Sequence, residues 1–225
     1  MQPESTTLRA QLQAAMQSVL TRILEHPFIS GLTDGSLRRD VFAYYVVQDA
    51  HYLRDYARAL AVVGAKSPDE PTLAMFCAHA QGAIEVERSL HEGLFRAMGI
   101  TDDEVRSVPV MPTTLAYTSY LLRACHQGSF AEGLAAVLPC YWIYAEVGTA
   151  LSARASPDPL YARWIATYGG EEFGKIVAAV LAAVDRVGET ASAAEQAAMR
   201  EHALATSRYE WMFWDAGWRR EAWPI

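Results

Sequence analysis

The sequence predicts an all-α protein, and three observations carry that prediction. Alanine, leucine, glutamate and arginine, which favour helices, are frequent in almost every long segment. The alternation of apolar and polar residues that is typical of strands is scarce. Glycine and proline fall between the long segments and divide the chain into seven to nine helices. No linker, repeat or low-complexity stretch interrupts it, so residues 1–225 are predicted to form one domain.

The turn residues set the boundaries of each helix in order. The first predicted helix covers residues 5–25 and ends before a turn at His26. The second covers residues 37–64, after the turn at residues 34–36 and before Ser67 and Pro68. The other predicted helices are residues 71–98, closed by Gly99; 112–126, closed by Gly128; 130–153; a short one ending at Gly169 and Gly170; 171–187; and, after a break at Gly188, 191–218.

Pro139 lies inside the predicted helix over residues 130–153. Proline has no backbone N–H, so it leaves the carbonyl of Ala135 without its helical donor. We therefore expect a kink or a fresh helix start at this point, directly beside Cys140.

Charge and cysteine content exclude several classes of protein. The net charge of −7 argues against binding to a nucleic-acid backbone. The 225 residues are 52% hydrophobic and 20% charged, which suits a sizeable buried core. Three cysteines without CxxC spacing give neither a disulfide framework nor a thiolate zinc site. The N-terminal segment lacks the apolar core of a signal peptide, and no apolar run was expected to reach membrane-span length, so a cytoplasmic protein is predicted.

One helix face over residues 42–58 is unusually polar for a core. Tyr45, Asp49, Tyr52 and Tyr56 follow at intervals of four, three and four residues, so they share one side of the helix. Each phenol needs a partner if buried, and Asp49 needs a hydrogen bond or neutralisation. Either this face lines a polar pocket, or it is half-exposed and pairs with an arginine of another helix.

Cys140 follows Pro139 within an aromatic segment, LAAVLPCYWIYAEVG. If Pro139 opened a helix, Cys140 would lie in its first turn, where free amides and the helix dipole favour a thiolate. Tyr144 shares its face, whereas Tyr141 and Trp142 are expected to point elsewhere. An isolated buried thiol is most often inert, and we assign that role to Cys77 and Cys125.

Glu210 lies in an aromatic run near the C-terminus, with Tyr209 and Trp211 on either side. Apolar surroundings raise the pKa of a carboxyl group, so it can hold a proton near neutral pH and act as a general acid. The alternative is an exposed carboxylate paired with Arg208 or Arg219.

Four segments together resemble the TenA family, the thiaminase II proteins, over essentially the whole chain. They are FxxYxxQDxxYLxxYxR at residues 42–58, LPCYWIYAEVG at 138–148, YGGEEF at 168–173 and SRYEWMFWD at 207–215. The family's fold is an all-helical bundle of the haem-oxygenase-like type, which agrees with the helical pattern.

The resemblance implies roles for individual residues. Cys140 matches the family's nucleophilic cysteine and Glu210 its catalytic glutamate. Asp49 matches the aspartate that hydrogen-bonds the aminopyrimidine. Positions that are aromatic in the family's pocket fall on Tyr52, Tyr117, Tyr144 and Tyr168; Tyr168 is expected to hydrogen-bond Cys140, and Tyr120 competes with Tyr117 for its position.

The resemblance also implies an activity: release of 4-amino-5-hydroxymethyl-2-methylpyrimidine from its 5-aminomethyl precursor or, more slowly, from thiamin. In this mechanism the cysteine adds to the ring, and no metal or cofactor takes part. Family members are typically homotetramers, and the aromatic C-terminal tail offers apolar surface for a neighbour, unless its tryptophans fold back on their own subunit.

Two alternatives stay open. The same superfold hosts haem and di-iron oxygenases, for which His26, or Glu87 with His91, would be the ligands; a complete di-iron set cannot be assembled from the sequence. The other alternative is a pyrimidine- or thiamin-binding or regulatory protein without turnover, although such a protein has no use for both Cys140 and Glu210.

Overall fold

The computed structural model describes residues 7–225, except the side chains of Val86, Glu87, Leu90, His91, Glu92 and Asp102. Every regular element in this described part is a helix, which confirms the all-α prediction. The helices are α1 (Leu8–Leu24), α2 (Pro27–Asp34), α3 (Arg39–Ala65), α4 (Glu70–Met98), α5 (Asp102–Ser107), α6 (Pro112–Gln127), α7 (Phe130–Ser152), α8 (Pro159–Gly169), α9 (Glu171–Thr190) and α10 (Ala193–Arg219).

Two short helices were not predicted, and both have caps that the sequence contains. The His26 ring accepts a hydrogen bond from the Phe28 amide and so caps α2, where the sequence indicated only a turn. Thr101 and Glu104 form a reciprocal capping box that starts α5. The described part therefore holds ten helices rather than seven to nine.

The predicted break at Gly188 is wrong. Helix α9 runs through this glycine to Thr190, and the chain breaks only at residues 191–192. A Cβ atom at Gly188 would lie 2.9 Å from the Cβ of Leu8. Gly188 therefore allows the close packing of α9 on α1, although glycine has a low helix propensity.

Helix α7 forms the centre of the bundle. It packs against α10, α8, α6, α9 and α3, and nearly all its faces are apolar and buried. It is also long and apolar enough to cross a membrane, contrary to the sequence-based expectation, but 72% of its most apolar window is buried inside the fold. That burial is typical of the central helix of a soluble bundle.

Pro139 lies in the interior of α7, which continues through it without a fresh start. Cys140 is therefore the eleventh residue of this helix, far from the free amides of its first turn. Of the two alternatives, a kink or a fresh helix start, the fresh start is wrong, and with it the placement of Cys140 in the first turn of a helix.

Candidate active site

A cavity of about 300 Å³ lies between α3, α4, α7 and the α8–α9 junction. Five of the seven predicted site residues line it: Asp49, Tyr52, Cys140, Tyr144 and Tyr168. The outer wall is more apolar and includes small residues. Its members are Leu53, Tyr56, Leu60, Ala78, His79, Gly82, Ala83, Tyr141, Thr167, Glu172, Phe173 and Ile176.

The polar face of α3 turns towards this cavity. Asp49, Tyr52 and Tyr56 are all buried, so the alternative of a half-exposed face is wrong. The ring of Tyr52 stacks on that of Tyr56 with centroids 5.4 Å apart. The buried Tyr52 hydroxyl makes no well-formed hydrogen bond within the described part of the chain. It can therefore serve a bound ligand.

Cys140 is half-buried in the cavity wall. Burial raises the pKa of its thiol well above the usual value, and the Glu210 carboxyl nearby raises it further. The hydroxyls of Tyr52 and Tyr56 oppose part of this rise. The resting form is a neutral thiol, which contradicts the thiolate predicted from the sequence.

Tyr144 and Tyr168 are fixed from behind the cavity. The hydroxyls of Tyr144 and Tyr45 are 2.9 Å apart, and Tyr45 stacks on Trp214. Tyr168 lies at the end of α8, where its backbone approaches Gly148 of α7; a Cβ at Gly148 would lie 2.4 Å from the Tyr168 carbonyl carbon. Glycine is required at this close approach.

The Tyr168 hydroxyl was expected to hydrogen-bond Cys140. No such bond occurs among the residues that the structure describes; the ring of Tyr168 instead packs against Tyr144, with centroids 4.8 Å apart. The hydroxyls that lower the pKa of the Cys140 thiol are those of Tyr52 and Tyr56, both from α3.

Glu210 and Tyr117 lie outside the lining of the cavity, and the ring of Tyr117 contacts that of Tyr52 in its wall, with centroids 4.9 Å apart. Glu210 is 1% exposed, and the Tyr117 hydroxyl donates a hydrogen bond of 2.6 Å to its Oε1. Burial raises the pKa of Glu210 to about 8, which confirms the predicted direction. Arg219 pairs with Asp215 instead, so the surface alternative for Glu210 is wrong.

Tyr117 and Tyr120 are now distinguishable. The Tyr120 hydroxyl lies 3.0 Å from Nδ1 of His202, away from the cavity, whereas Tyr117 contacts both Glu210 and the ring of Tyr52. The structure therefore brings Tyr117, and not Tyr120, to the candidate site.

Neither His79 nor Tyr141 was predicted from the sequence to be a site residue. His79 of α4 lies 3.2 Å from the Tyr141 hydroxyl, and both line the cavity. Tyr141 was expected to point elsewhere, which is wrong. A single histidine on α4 carries no motif, and its partner lies 62 residues away; only the adjacency of Tyr141 to Cys140 hinted at either residue.

His26, the alternative haem ligand, has protein partners at both ring nitrogens. His26 is buried, accepts a hydrogen bond from Phe28 at Nδ1, and has Nε2 at 3.5 Å from Asp215. Glu87 and His91, the di-iron alternative, lie outside the described side chains. Among the residues that are described, no group of three or more histidine, cysteine, aspartate or glutamate side chains could hold a metal ion.

Together these groups suit covalent chemistry on a flat polar molecule. Aromatic faces can hold a planar ring, Asp49 can accept hydrogen bonds from it, and Cys140 can attack one of its carbons. A carboxyl group with a pKa of about 8 adjoins this arrangement and can donate a proton at neutral pH.

Comparison with known proteins gives consistent matches along the chain. A model of the TENA/THI-4/PQQC family matches residues 13–220. The aminopyrimidine aminohydrolase of Bacillus subtilis strain 168 is 38% identical, covering 88% of this chain and 84% of that protein. The aminopyrimidine aminohydrolase of Halalkalibacterium halodurans is 35% identical, covering 95% and 96%.

Solved structures support the fold. A TenA homologue from P. horikoshii OT3 superposes with a TM-score of 0.88 at 27% identity, covering 95% of this chain and 99% of that one. A domain with a heme oxygenase-like fold from Shewanella denitrificans OS217 has a TM-score of 0.72 at 18% identity, covering 93% and 91%. The expected haem-oxygenase-like type of bundle is confirmed.

Proposed function

The chain belongs to the TENA/THI-4/PQQC family, and we propose that it is an aminopyrimidine aminohydrolase of thiamin salvage. It converts 4-amino-5-aminomethyl-2-methylpyrimidine, and thiamin more slowly, to 4-amino-5-hydroxymethyl-2-methylpyrimidine. The observation that carries this proposal is that Cys140 and Asp49 line one tyrosine-walled cavity. The buried Glu210, whose pKa burial raises to about 8, is linked to this wall through Tyr117, whose ring contacts that of Tyr52. The relatives from Bacillus subtilis and Halalkalibacterium halodurans, both named aminopyrimidine aminohydrolase, support this class of reaction.

Direct displacement of the amine by water is slow because an amine is a poor leaving group. In the proposed mechanism the sulfur of Cys140 adds to the ring carbon beside the substituted one. The ring loses its aromaticity, and electrons from its amino nitrogen expel the group on the methylene carbon. Water then adds to the exocyclic methylene, and Cys140 departs so that the ring is restored.

Glu210 supplies and recovers a proton in these steps. Because its pKa is about 8, the carboxyl group holds a proton at neutral pH and can give it to the leaving amine. The resulting carboxylate then takes a proton from the attacking water. Tyr117, whose hydroxyl donates to Glu210 at 2.6 Å, orients the carboxyl group.

Asp49 and the tyrosines hold the ring. Asp49 binds the amidine-like edge of the pyrimidine through two hydrogen bonds. Tyr52, Tyr144 and Tyr168 provide aromatic faces that stack on the ring and exclude water. A cavity of about 300 Å³ lies at the lower end of the range for small-molecule sites, which suits a single substituted ring. The reaction requires no metal or organic cofactor.

The test is release of ammonia from the aminomethyl pyrimidine. The wild-type protein should release ammonia and form the hydroxymethyl product, and Cys140→Ser should remove most turnover while pyrimidine binding stays. Cys77→Ser, on the exposed surface of α4, is the matched control and should behave as wild type. Undiminished hydrolysis by the Cys140 variant contradicts the mechanism. Binding without turnover by the wild type identifies a non-catalytic binding protein instead.

We further propose a single-domain, cytoplasmic homotetramer. The exposed side chains of Trp218 and Trp223, which are 37% and 48% accessible, leave apolar surface near the C-terminus. Trp223 folds back partly, because its ring N–H donates to the carbonyl of Val110. Light scattering of purified protein tests the assembly, and a monomeric mass contradicts it.

A further inference from the structure

His79 occupies a half-buried position in the wall of the same cavity that Cys140 lines. Its ring lies between Phe76 and Tyr141, with centroids at 6.1 and 5.6 Å. Nδ1 of His79 lies 3.2 Å from the Tyr141 hydroxyl. No carboxylate forms an ion pair with His79 among the described residues. Burial lowers the pKa of His79, so at neutral pH the imidazole is uncharged and can accept a proton.

The chemistry of the proposed reaction needs such an acceptor. Burial raises the pKa of the Cys140 thiol, so the sulfur carries its proton until it attacks the ring. Glu210 is protonated at neutral pH and cannot take a second proton. The thiol proton must therefore leave by another route.

A chain of hydroxyl groups connects the thiol to His79. Tyr56, Cys140, Tyr141 and His79 line the same cavity, and the rings of Tyr56 and Tyr141 lie 5.9 Å apart. The Tyr56 hydroxyl is close enough to lower the pKa of both the Cys140 thiol and the Tyr141 hydroxyl. At rest the Tyr56 hydroxyl donates to the Val137 carbonyl at 3.0 Å. A rotation of this one O–H bond towards Tyr141 would direct it along the path from sulfur to imidazole that we propose.

We propose that His79 accepts, through the hydroxyls of Tyr56 and Tyr141, the proton that Cys140 loses when its sulfur bonds to the pyrimidine ring. This inference rests on the nucleophilic role of Cys140 proposed above. His79 acts through the two tyrosines and is a positioning and proton-storing residue for the reaction.

The protons and electrons balance over the cycle. The S–H bond breaks as the S–C bond forms, and each hydroxyl passes one proton on, so His79 becomes an imidazolium. The C–N bond to the leaving amine breaks as Glu210 gives up its proton, which leaves the ring adduct uncharged. Water then adds to the methylene and returns a proton to Glu210. The departing sulfur takes its proton back from His79.

Other titratable groups share the cavity with His79 and need to be considered. They are Asp49, Tyr52 and Tyr56 from α3, Cys140, Tyr141 and Tyr144 from α7, Tyr168 from α8 and Glu172 from α9. Glu172 is engaged with Lys175 at 2.8 Å on the outer surface. Of these groups, only Tyr141 makes a hydrogen bond with His79 in the part of the chain that the structure describes.

The test measures the thiol directly, without any substrate. Full-length protein is treated with iodoacetamide at pH 7, and alkylation of Cys140 is followed by peptide mass mapping, which separates it from the exposed Cys77. His79→Gln keeps a hydrogen-bonding side chain but cannot store the proton, and we expect alkylation to slow about a hundredfold or more, the scale of lost general-base assistance. Tyr141→Phe interrupts the same path and should give a similar loss.

The double variant distinguishes a shared path from two separate effects. His79→Gln combined with Tyr141→Phe should be no slower than the slower single variant. His202→Gln is the matched control, because His202 makes the same kind of contact with Tyr120 away from the cavity; its alkylation rate should equal that of wild type. Added imidazole should restore part of the rate in His79→Gly.

Wild-type alkylation rates in His79→Gln, or additive losses in the double variant, overturn the proposal. A loss that imidazole does not restore, accompanied by a lower melting temperature, indicates a structural role and also overturns it. The alkylation readout is independent of hydrolysis. If the wild type shows no aminohydrolase activity while His79→Gln still slows alkylation, the proton path stands and the proposed function fails.

Discussion

Glu210 shows at the scale of a single residue how catalysis can oppose stability. Its carboxyl group has a pKa of about 8 in the fold, against an ordinary value of 4.5. Between these two pH values the unfolded chain is ionised and the folded protein is protonated, so stability falls as the pH rises. At pH 7 the cost amounts to about 3 kcal/mol. Glu210→Gln should therefore be inactive yet more stable than wild type at pH 7 in urea unfolding.

The gain in stability expected for Glu210→Gln depends on pH in a defined way. The glutamine oxygen can still accept the hydrogen bond from Tyr117, so the difference in unfolding free energy should shrink towards zero near pH 4, where both states of wild type are protonated. Glu201→Gln, on the exposed side of α10, is the control and should change neither stability nor activity. Equal stability of Glu210→Gln and wild type at pH 7 contradicts the raised pKa.

Tyr117 and burial have opposite effects on the pKa of Glu210. Its hydroxyl stabilises the carboxylate, so it lowers the pKa that burial has raised. If Glu210 is the general acid, activity falls as the pH rises through that pKa. Tyr117→Phe should move this alkaline limb of the kcat/KM profile to higher pH. Tyr120→Phe, whose hydroxyl contacts His202, should leave the limb in place.

Sequence patterns located most residues of the site but not their protonation states. Helical spacing correctly placed Asp49, Tyr52 and Tyr56 on one face, and the aromatic neighbours of Glu210 indicated its raised pKa. The state of Cys140 was wrong because it depended on where α7 begins. Desolvation comes from several helices packed together, and no local pattern contains that information.

Helix α2 depends on the protonation of a buried histidine. Nδ1 of His26 caps the helix by accepting from the Phe28 amide at 3.1 Å, and it can do so only when unprotonated. Burial lowers the pKa of His26, and Asp215 opposes this in part. A folded-state pKa below the ordinary value of 6.5 means that this contribution to stability is present above pH 6.5 and is lost as the pH falls through the folded-state pKa.

We expect His26→Asn to remove most of the pH dependence of stability that comes from the cap of α2. Asparagine caps helices well but does not titrate, so the variant should keep α2 and lose less unfolding free energy than wild type between pH 7 and 5. Thermal melts across this range provide the measurement. His126→Asn, at an exposed position of α6, should follow the wild-type curve. A steeper acid loss in His26→Asn than in wild type contradicts the assignment.

Long helices were predictable because their ends carry strong local signals. The predicted C-terminal ends at Gly99 and Gly128 agree with the structure, and Gly99 adopts the left-handed backbone that favours glycine, with φ of 71°. Gly188 and Pro139 misled the prediction for one reason. Each was interpreted as a local helix breaker, whereas packing on Leu8 and burial at the centre of the bundle hold α9 and α7 together through them.

At the scale of the whole molecule, the end of the chain caps a helix more than a hundred residues earlier. Met111, the N-cap residue before α6, makes no side-chain capping hydrogen bond. The Thr113 amide, in the first turn, instead donates to Oε2 of Glu221 at 2.8 Å. The backbone carbonyl of Glu221 also accepts from the Tyr44 hydroxyl of α3. One residue therefore ties α3 and α6 to the end of α10.

Glu221→Ala should consequently destabilise the whole protein rather than only its C-terminus. Loss of the capping carboxylate at a helix N-terminus costs about 1–2 kcal/mol, and because α6 packs on α3, α7 and α10 the loss should appear in one cooperative unfolding transition. Glu221→Gln retains an acceptor but not the charge, so its unfolding free energy should lie between those of wild type and Glu221→Ala. Glu189→Ala, exposed near the end of α9, is the control. If Glu221→Ala unfolds with wild-type free energy in urea, the chain end does not cap α6, and the stability of α6 must come from its buried face alone.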